Sequence, residues 1–263
     1  MGFESNKTWL IGGTSESAEI AKMLSESNLA VLVSVTTTAA RSLYADSTEV
    51  AVGCMDKLQM KRFCWQNSIK TIVDASHPYA AVVSDQAIAV AREINLPYLR
   101  YERQSYQTAS SILNRAETIE LSSFEQLVAG DYLADQRVLL TVGCKALSQF
   151  QSWQHRSTLF ARVLPKITSL EVAIAAGFTS DRLIAIRPPL SLATEMALWQ
   201  QWQISLVVTK ASGKAGGEDL KHQAANKLGV PLIVIARPQI SYPQTTNNLT
   251  EVLIFCRQAI SIL

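Results

Sequence analysis

Directly after the apolar run Thr71–Val73 come Asp74, Ala75, Ser76, His77, Pro78 and Tyr79, which bring an acid, a hydroxyl, an imidazole and a phenol to one strand end. Asp and His are costly at a buried strand tip unless paired or working, and Pro78 holds His77 in extended geometry. Such groups suit proton transfer and hydrogen bonding to a bound ligand. A capping Asp74 beside a solvated His77 would produce the same pattern, and that alternative stays open here.

Gly12-Gly13-Thr14-Ser15 follows another apolar run and opens a helix, so main-chain N–H groups are expected to be available for a phosphate. A tight turn capped by Thr or Ser is the competing explanation. A dinucleotide unit that takes NAD normally ends its second strand in Asp or Glu. Here Val35 leads instead into Thr36, Thr37, Thr38, Ala39, Ala40 and Arg41. Hydroxyls and a cation suit a 2′-phosphate, which makes NADP the expected dinucleotide unless this is an ordinary polar loop.

Two further loops have the same composition. Lys210-Ala211-Ser212-Gly213-Lys214 and Thr141-Val142-Gly143-Cys144-Lys145 each follow a strand-like run. Neither contains G-x-x-x-x-G-K-[ST], so nucleotide hydrolysis is disfavoured while anion binding remains open. Arg100 and Arg103 flank Glu102, where they could grip carboxylates or simply pair with nearby acids. His155 and His222 have no partner pattern, and no G-x-S-x-G elbow supports serine catalysis.

These residues need a frame that gathers strand ends. Strand-length apolar runs alternate with segments of helical period almost throughout, the α/β pattern. Ile20, Met23 and Leu24 share one helix face, and Val83, Ala87, Val90 and Ile94 another. Around residues 104–115 the pattern lapses into a polar stretch. Two Rossmann-like doubly wound domains with mostly parallel sheets are therefore expected, at 1–107 and 108–263, the first carrying the dinucleotide loops.

Composition narrows the function classes. With 24 basic and 22 acidic side chains the chain has a formal charge of +2, which argues against a nucleic-acid surface and leaves room for local anion sites. Cys54, Cys64, Cys144 and Cys256 lack metal-ligand spacing, so no metal site or disulfide framework is expected. No apolar run approaches the roughly 18 residues needed to span a bilayer, and the N-terminus has no leader pattern. A cytoplasmic monomer is the expected state, with neither membrane nor nucleic-acid partners.

In order, G-G-T at 12–14, D-A-S-H-P-Y-A at 74–80, L-R-Y-E-R at 99–103, T-V-G-C-K at 141–145, A-R-V-L-P at 161–165 and V-T-K-A-S-G at 208–213 resemble the precorrin-6A reductase family. The closing L-G-V-P-L-I-V-I-A-R-P at 228–238 is similar too. The resemblance implies an NADPH-dependent reductase that acts on precorrin-6A or its cobalt complex in a cleft between two Rossmann-like domains. It implies that Gly12, Gly13 and Thr14 hold the pyrophosphate, with Thr38 and Arg41 at the 2′-phosphate. Asp74 and His77 would belong to the cofactor site. Tyr79, Arg100, Arg103, Lys145, Lys210, Ser212 and Gly213 would orient a tetrapyrrole polycarboxylate, with Lys210 or His77 as catalytic groups. Ala40 and Pro188 stand where the family pattern has glycine. An NADP-binding sensor without turnover and a nucleotide-donor transferase remain the alternatives.

Overall fold

The computed structural model describes residues 6–104, 106 and 116–261. They form two compact units, Met1–Gln104 with Gln239–Leu263 and Ser105–Pro238. The first unit opens with β1 (Lys7–Ile11), α1 (Ser15–Glu26), β2 (Val31–Val35), α2 (Thr38–Arg41) and β3 (Glu49–Val52). It continues with α3 (Lys57–Gln66), β4 (Ile69–Asp74), α4 (Ala81–Glu93) and β5 (Tyr98–Tyr101). The second unit contains β6 (Thr118–Leu121), α5 (Phe124–Ala129), β7 (Arg137–Leu140), a 3₁₀ segment Cys144–His155, β8 (Thr158–Val163) and α6 (Ile167–Ala175). Then come β9 (Leu183–Ala185), α7 (Leu192–Gln201), β10 (Leu206–Lys210), α8 (Glu218–Leu228) and β11 (Leu232–Ile235). Last in the chain are β12 (Thr245–Thr246) and α9 (Leu249–Ser261).

Each sheet has six strands, in the orders β12-β5-β4-β1-β2-β3 and β6-β11-β10-β7-β8-β9, and every pairing is parallel. Parallel sheets need apolar residues on both faces, and the sequence supplies them. Trp9 and Ile11 face one core of the first unit, while Leu10 faces the other with Ile20 and Leu24 of α1. In the second unit Val138 and Leu140 join one core and Leu139 the opposite one. Burial also pushes the Cys64 thiol up to about 12 and that of Cys256 to about 11, which leaves both as inert packing groups.

The expected domain limits need one correction. The boundary between residues 107 and 108 lies outside the described residues. Residues 239–261, however, complete the first unit and not the second. Thr245 and Thr246 pair with Arg100 and Tyr101, extending the first sheet by a strand. Val252 and Cys256 of α9 are buried in the same core as Leu10 and Val73. A two-residue strand has too short an apolar pattern to be read from sequence.

Candidate functional site

Strand order reverses between β1 and β4 in the first sheet and between β7 and β10 in the second. Ligands of open α/β sheets bind outside the carboxyl ends of strands at such points. Four of the loops singled out by their chemistry follow these four strands.

In the first unit the loops after β1 and β4 are tied together. The Ala75 N–H donates to Ile11 O at 2.9 Å, and the Thr14 hydroxyl donates to Ala75 O at 2.9 Å. Thr14 is also the N-cap of α1, accepting from the Ser17 N–H at 3.1 Å while the Ser17 hydroxyl accepts from the Thr14 N–H at 3.0 Å. Gly13 has φ +102°, a conformation that favours glycine, and donates its N–H to the Tyr44 hydroxyl at 2.8 Å. The expectation of open N–H groups is narrowed here to the helix start, because Tyr44 and Ser17 occupy those of Gly13 and Thr14. Among the described residues none accepts from the N–H groups of Ser15 or Glu16, so an anion would meet α1 there.

A Cβ on Gly12 would overlap the Tyr44 hydroxyl and crowd Val33 Cγ1 at 3.0 Å. Gly12→Ala is therefore expected to cost about 1–3 kcal/mol of stability by overpacking. Urea unfolding of the full chain checks this, and Tyr44→Phe in the same chain should recover most of the loss by removing the overlapping oxygen. Equal losses in the single and double variants would show that Tyr44 is not the obstacle.

Asp74 is fully buried. Its Oδ1 accepts from Arg100 Nη1 at 2.9 Å and the Ser76 N–H at 2.9 Å, and its Oδ2 from Ser84 Oγ at 2.6 Å and Tyr98 OH at 2.7 Å. Arg100, 1% exposed, also donates to Glu102 at 2.9 Å and Ser76 Oγ at 3.1 Å and lies 5.3 Å from the Tyr242 ring. Burial works against its charge, but Asp74 and Glu102 more than offset this and its pKa is raised. Burial first, then Asp74, pushes the Tyr98 phenol up, so it stays a donor. Two expectations are thereby corrected. Asp74 is not a ligand for a cofactor and Arg100 is not a grip for substrate, because each is consumed by the other inside the core.

His77 differs, being exposed just past that buried network. Its Nδ1 accepts from the Tyr79 N–H at 3.2 Å, so the neutral imidazole carries its proton on Nε2. The two rings lie 5.9 Å apart. Arg103 Nη2 meets Glu16 Oε2 at 2.9 Å, which sets a cation beside the first turn of α1. Thr38 is exposed on α2, while Arg41 donates to the carbonyls of Tyr44, Ala45 and Asp46 at 3.2–3.4 Å.

In the second unit the ends of β7 and β10 bring Cys144, Lys145 and Lys210 together. Burial lowers the Lys210 pKa, Cys144 opposes that shift and Lys145 adds to it. Lys210 Nζ stands 5.5 Å from the Phe124 ring centroid, and Lys145 is exposed. Ser212 is nearly buried, and the Gly213 N–H donates to Glu218 Oε2 at 2.6 Å. Arg237, beyond β11, donates from Nε to Ala211 O at 2.8 Å. Tyr44, Glu218, Lys221 and Arg237 were not singled out in the sequence reading. Only Arg237 had a legible signal, as a cation just past a strand, while the others depend on contacts that spacing does not reveal.

Two doubly wound parallel sheets, each with glycine-bearing loops at its switch point, define a Rossmann-type α/β protein. The model of the family described as Precorrin-6x reductase CbiJ/CobK matches residues 7–257. The chain belongs to that family, and is an oxidoreductase of the cobalamin-forming type. It is 45% identical over 255 residues to a Cobalt-precorrin-6A reductase from Synechocystis sp., covering 95% of both chains. It is 33% identical over 250 residues to one from Priestia megaterium, covering 93% of this chain and 95% of that one. A solved structure described as CobK precorrin-6A reductase shares the fold, with a TM-score of 0.78 at 21% identity over 97% of each chain.

Proposed function

We propose that the chain reduces a ring double bond of cobalt-precorrin-6A, or of precorrin-6A, using NADPH in the formation of cobalamin. The observation that carries the substrate assignment is the run of cations at the carboxyl edge of the second sheet. Lys145, Lys166, Arg187, Lys210 and Arg237 follow or end β7, β8, β9, β10 and β11 in turn. A polycarboxylate macrocycle is the kind of ligand that such an edge attracts. Membership of the reductase family, with relatives named for this reaction, supports the chemistry.

The residues after β1 and β2 fit NADPH. Gly12 keeps the backbone close, the unclaimed N–H groups of Ser15 and Glu16 suit a pyrophosphate, and Thr14 locks the turn in place. Thr38 and Arg41 stand where a 2′-phosphate would be read, and no acid ends β2 to favour NAD. Bound NADPH supplies the hydride. His77 and Tyr79 line the nicotinamide end, and His77 in its imidazolium form supplies the accompanying proton. Lys145, Lys210, Ser212 and Gly213 fix the pose of the macrocycle through its carboxylates, and pose decides which ring carbon is reduced. Arg103, held by Glu16, places positive charge near the pyrophosphate end. A cytoplasmic address and a monomer complete the reading.

Kinetics with each dinucleotide and each macrocycle test it. NADPH should be preferred to NADH, and Arg41→Ala should narrow that preference; turnover with neither macrocycle would sink the proposal. Lys210 gives a pH signature as well. Its lowered pKa means that the cation is lost before the ordinary lysine range near about 10.4 is reached. Macrocycle KM is expected to rise with pH through that lowered value, because binding needs the protonated form. Lys210→Ala should raise KM about tenfold at neutral pH and flatten the alkaline rise. An unchanged KM profile in that variant would remove Lys210 from the site.

A further inference from the structure

Beneath the loop that follows β10 lies a set of buried titratable side chains that the reaction as described does not use. Glu218, Lys221, His222 and Glu195 are each no more than 4% exposed. Charged groups in such surroundings are costly unless they are paired and hydrogen-bonded. Here the bonds go to the loop backbone. Glu218 Oε2 accepts from the Gly213 N–H at 2.6 Å, and Lys221 Nζ donates to Gly216 O at 3.2 Å and Gly217 O at 3.0 Å. Gly213 has φ +70°, and a Cβ on Gly216 would overlap the Ser212 side chain, so the turn has little room for another course.

The set extends below the loop. Arg162 Nη1 pairs with Glu195 Oε1 at 2.6 Å, and Trp199 Nε1 donates to Glu195 Oε2 at 3.3 Å. His222 Nε2 stands 3.8 Å from Glu218 Oε1, and Tyr106 stacks on its ring at 4.7 Å. Burial lowers the Lys221 pKa to about 8, with Arg162 adding to the shift and Glu195, Glu218 and Asp219 opposing it. A neutral amine still has two N–H donors for its two carbonyls, so the contacts persist on both sides of that titration.

We propose that Glu218 and Lys221 are positioning residues for macrocycle binding, holding the turn 213–217 so that Ser212 and Gly213 face the substrate. The proposal rests on the reading that this loop meets the macrocycle. Glu218 fixes the entry of the turn through an acceptor on Gly213, and Lys221 fixes its exit through donors to Gly216 and Gly217. An acid and a lysine one helical turn apart in α8 thus set the shape of a loop that neither need touch the ligand to control.

Steady-state kinetics and amide hydrogen exchange on the full-length protein test this. Glu218→Ala is expected to raise the macrocycle KM about tenfold, leave the NADPH KM within about twofold, and speed Gly213 amide exchange about tenfold or more. Glu218→Gln keeps a carbonyl acceptor and should restore most of both effects, which a general loss of stability would not explain. Should Glu218→Ala fail to fold, Lys221→Met removes the donors to Gly216 and Gly217, keeps an apolar stem, and should raise the macrocycle KM similarly. A fall in kcat with both KM values and Gly213 exchange unaltered would overturn the proposal. Ser212→Ala separates the two possible failures. A raised macrocycle KM in Ser212→Ala but not in Glu218→Ala or Lys221→Met overturns the brace itself. Unchanged KM in all three, with Gly213 exchange accelerated, overturns the proposal because the loop does not meet substrate.

Discussion

Arg100→Met should destabilise the protein by about 3–5 kcal/mol, the cost of leaving a buried charge without its partner. Asp74 has no exposed surface, and Arg100 is its only ion-pair partner among the described residues. Methionine fills much of the same length but offers neither a donor nor a counter-charge. Three hydrogen bonds, from the Ser76 N–H, Ser84 and Tyr98, would remain on a carboxylate that had lost its cation. Urea unfolding measures the loss, and Asp74→Asn combined with Arg100→Met should regain much of it by removing the stranded charge. A single-variant loss below about 1 kcal/mol would mean that the pair is weaker than its burial implies. The effect bears on function because Asp74 also fixes Ser76, and Ala75 receives the Thr14 hydroxyl of the glycine loop.

His77→Ala is expected to lower kcat about 100-fold while leaving NADPH binding within about twofold, the usual consequence of removing a general acid. Because the Tyr79 N–H donates to Nδ1, the neutral ring carries its proton on Nε2, and delivery to the substrate requires the imidazolium that forms when a second proton is taken up from solvent. Rapid-mixing absorbance at the nicotinamide band separates the chemical step from binding. His77→Gln can still donate a hydrogen bond but not deliver a proton, so it should resemble His77→Ala in rate. A kcat within about threefold of the parent in both variants would assign the proton to another group or to solvent.

Much of the fold was legible because parallel sheets need unbroken apolar strands. Runs such as Leu10-Ile11, Val138-Leu139-Leu140 and Leu232–Ile235 are too apolar and too short for anything else. Thr245–Thr246 was not legible, since two polar residues carry no period. The strand exists because its backbone accepts from the N–H groups of Arg100 and Glu102, through Gln244 O and Thr246 O.

The loops at the strand ends were legible by composition, but the work of single side chains within them was not. Arg100 and Arg103 flank Glu102 at two residues before and one after, yet one lies in the core and the other meets Glu16 at the rim. Arg100 lies within β5 between two sheet neighbours while Arg103 lies beyond the strand's end, so place in the fold decides this and residue type does not. Tyr44 and Gly13 are 31 residues apart, and no local pattern announces that a phenol will take the glycine's N–H. Likewise, Glu218 and Lys221 read as an ordinary solvated helix start until their burial is seen.

The most direct test of the account is hydride tracing. Purified protein is mixed anaerobically with cobalt-precorrin-6A and NADPH deuterated at the nicotinamide C4 position, in ordinary water, and the product is weighed by mass spectrometry. The account predicts a product heavier than the substrate by one deuterium and one hydrogen, the deuteride from the dinucleotide and the proton from the protein or solvent. A product unchanged in mass, or one reduced without deuterium from either face of C4, would contradict it.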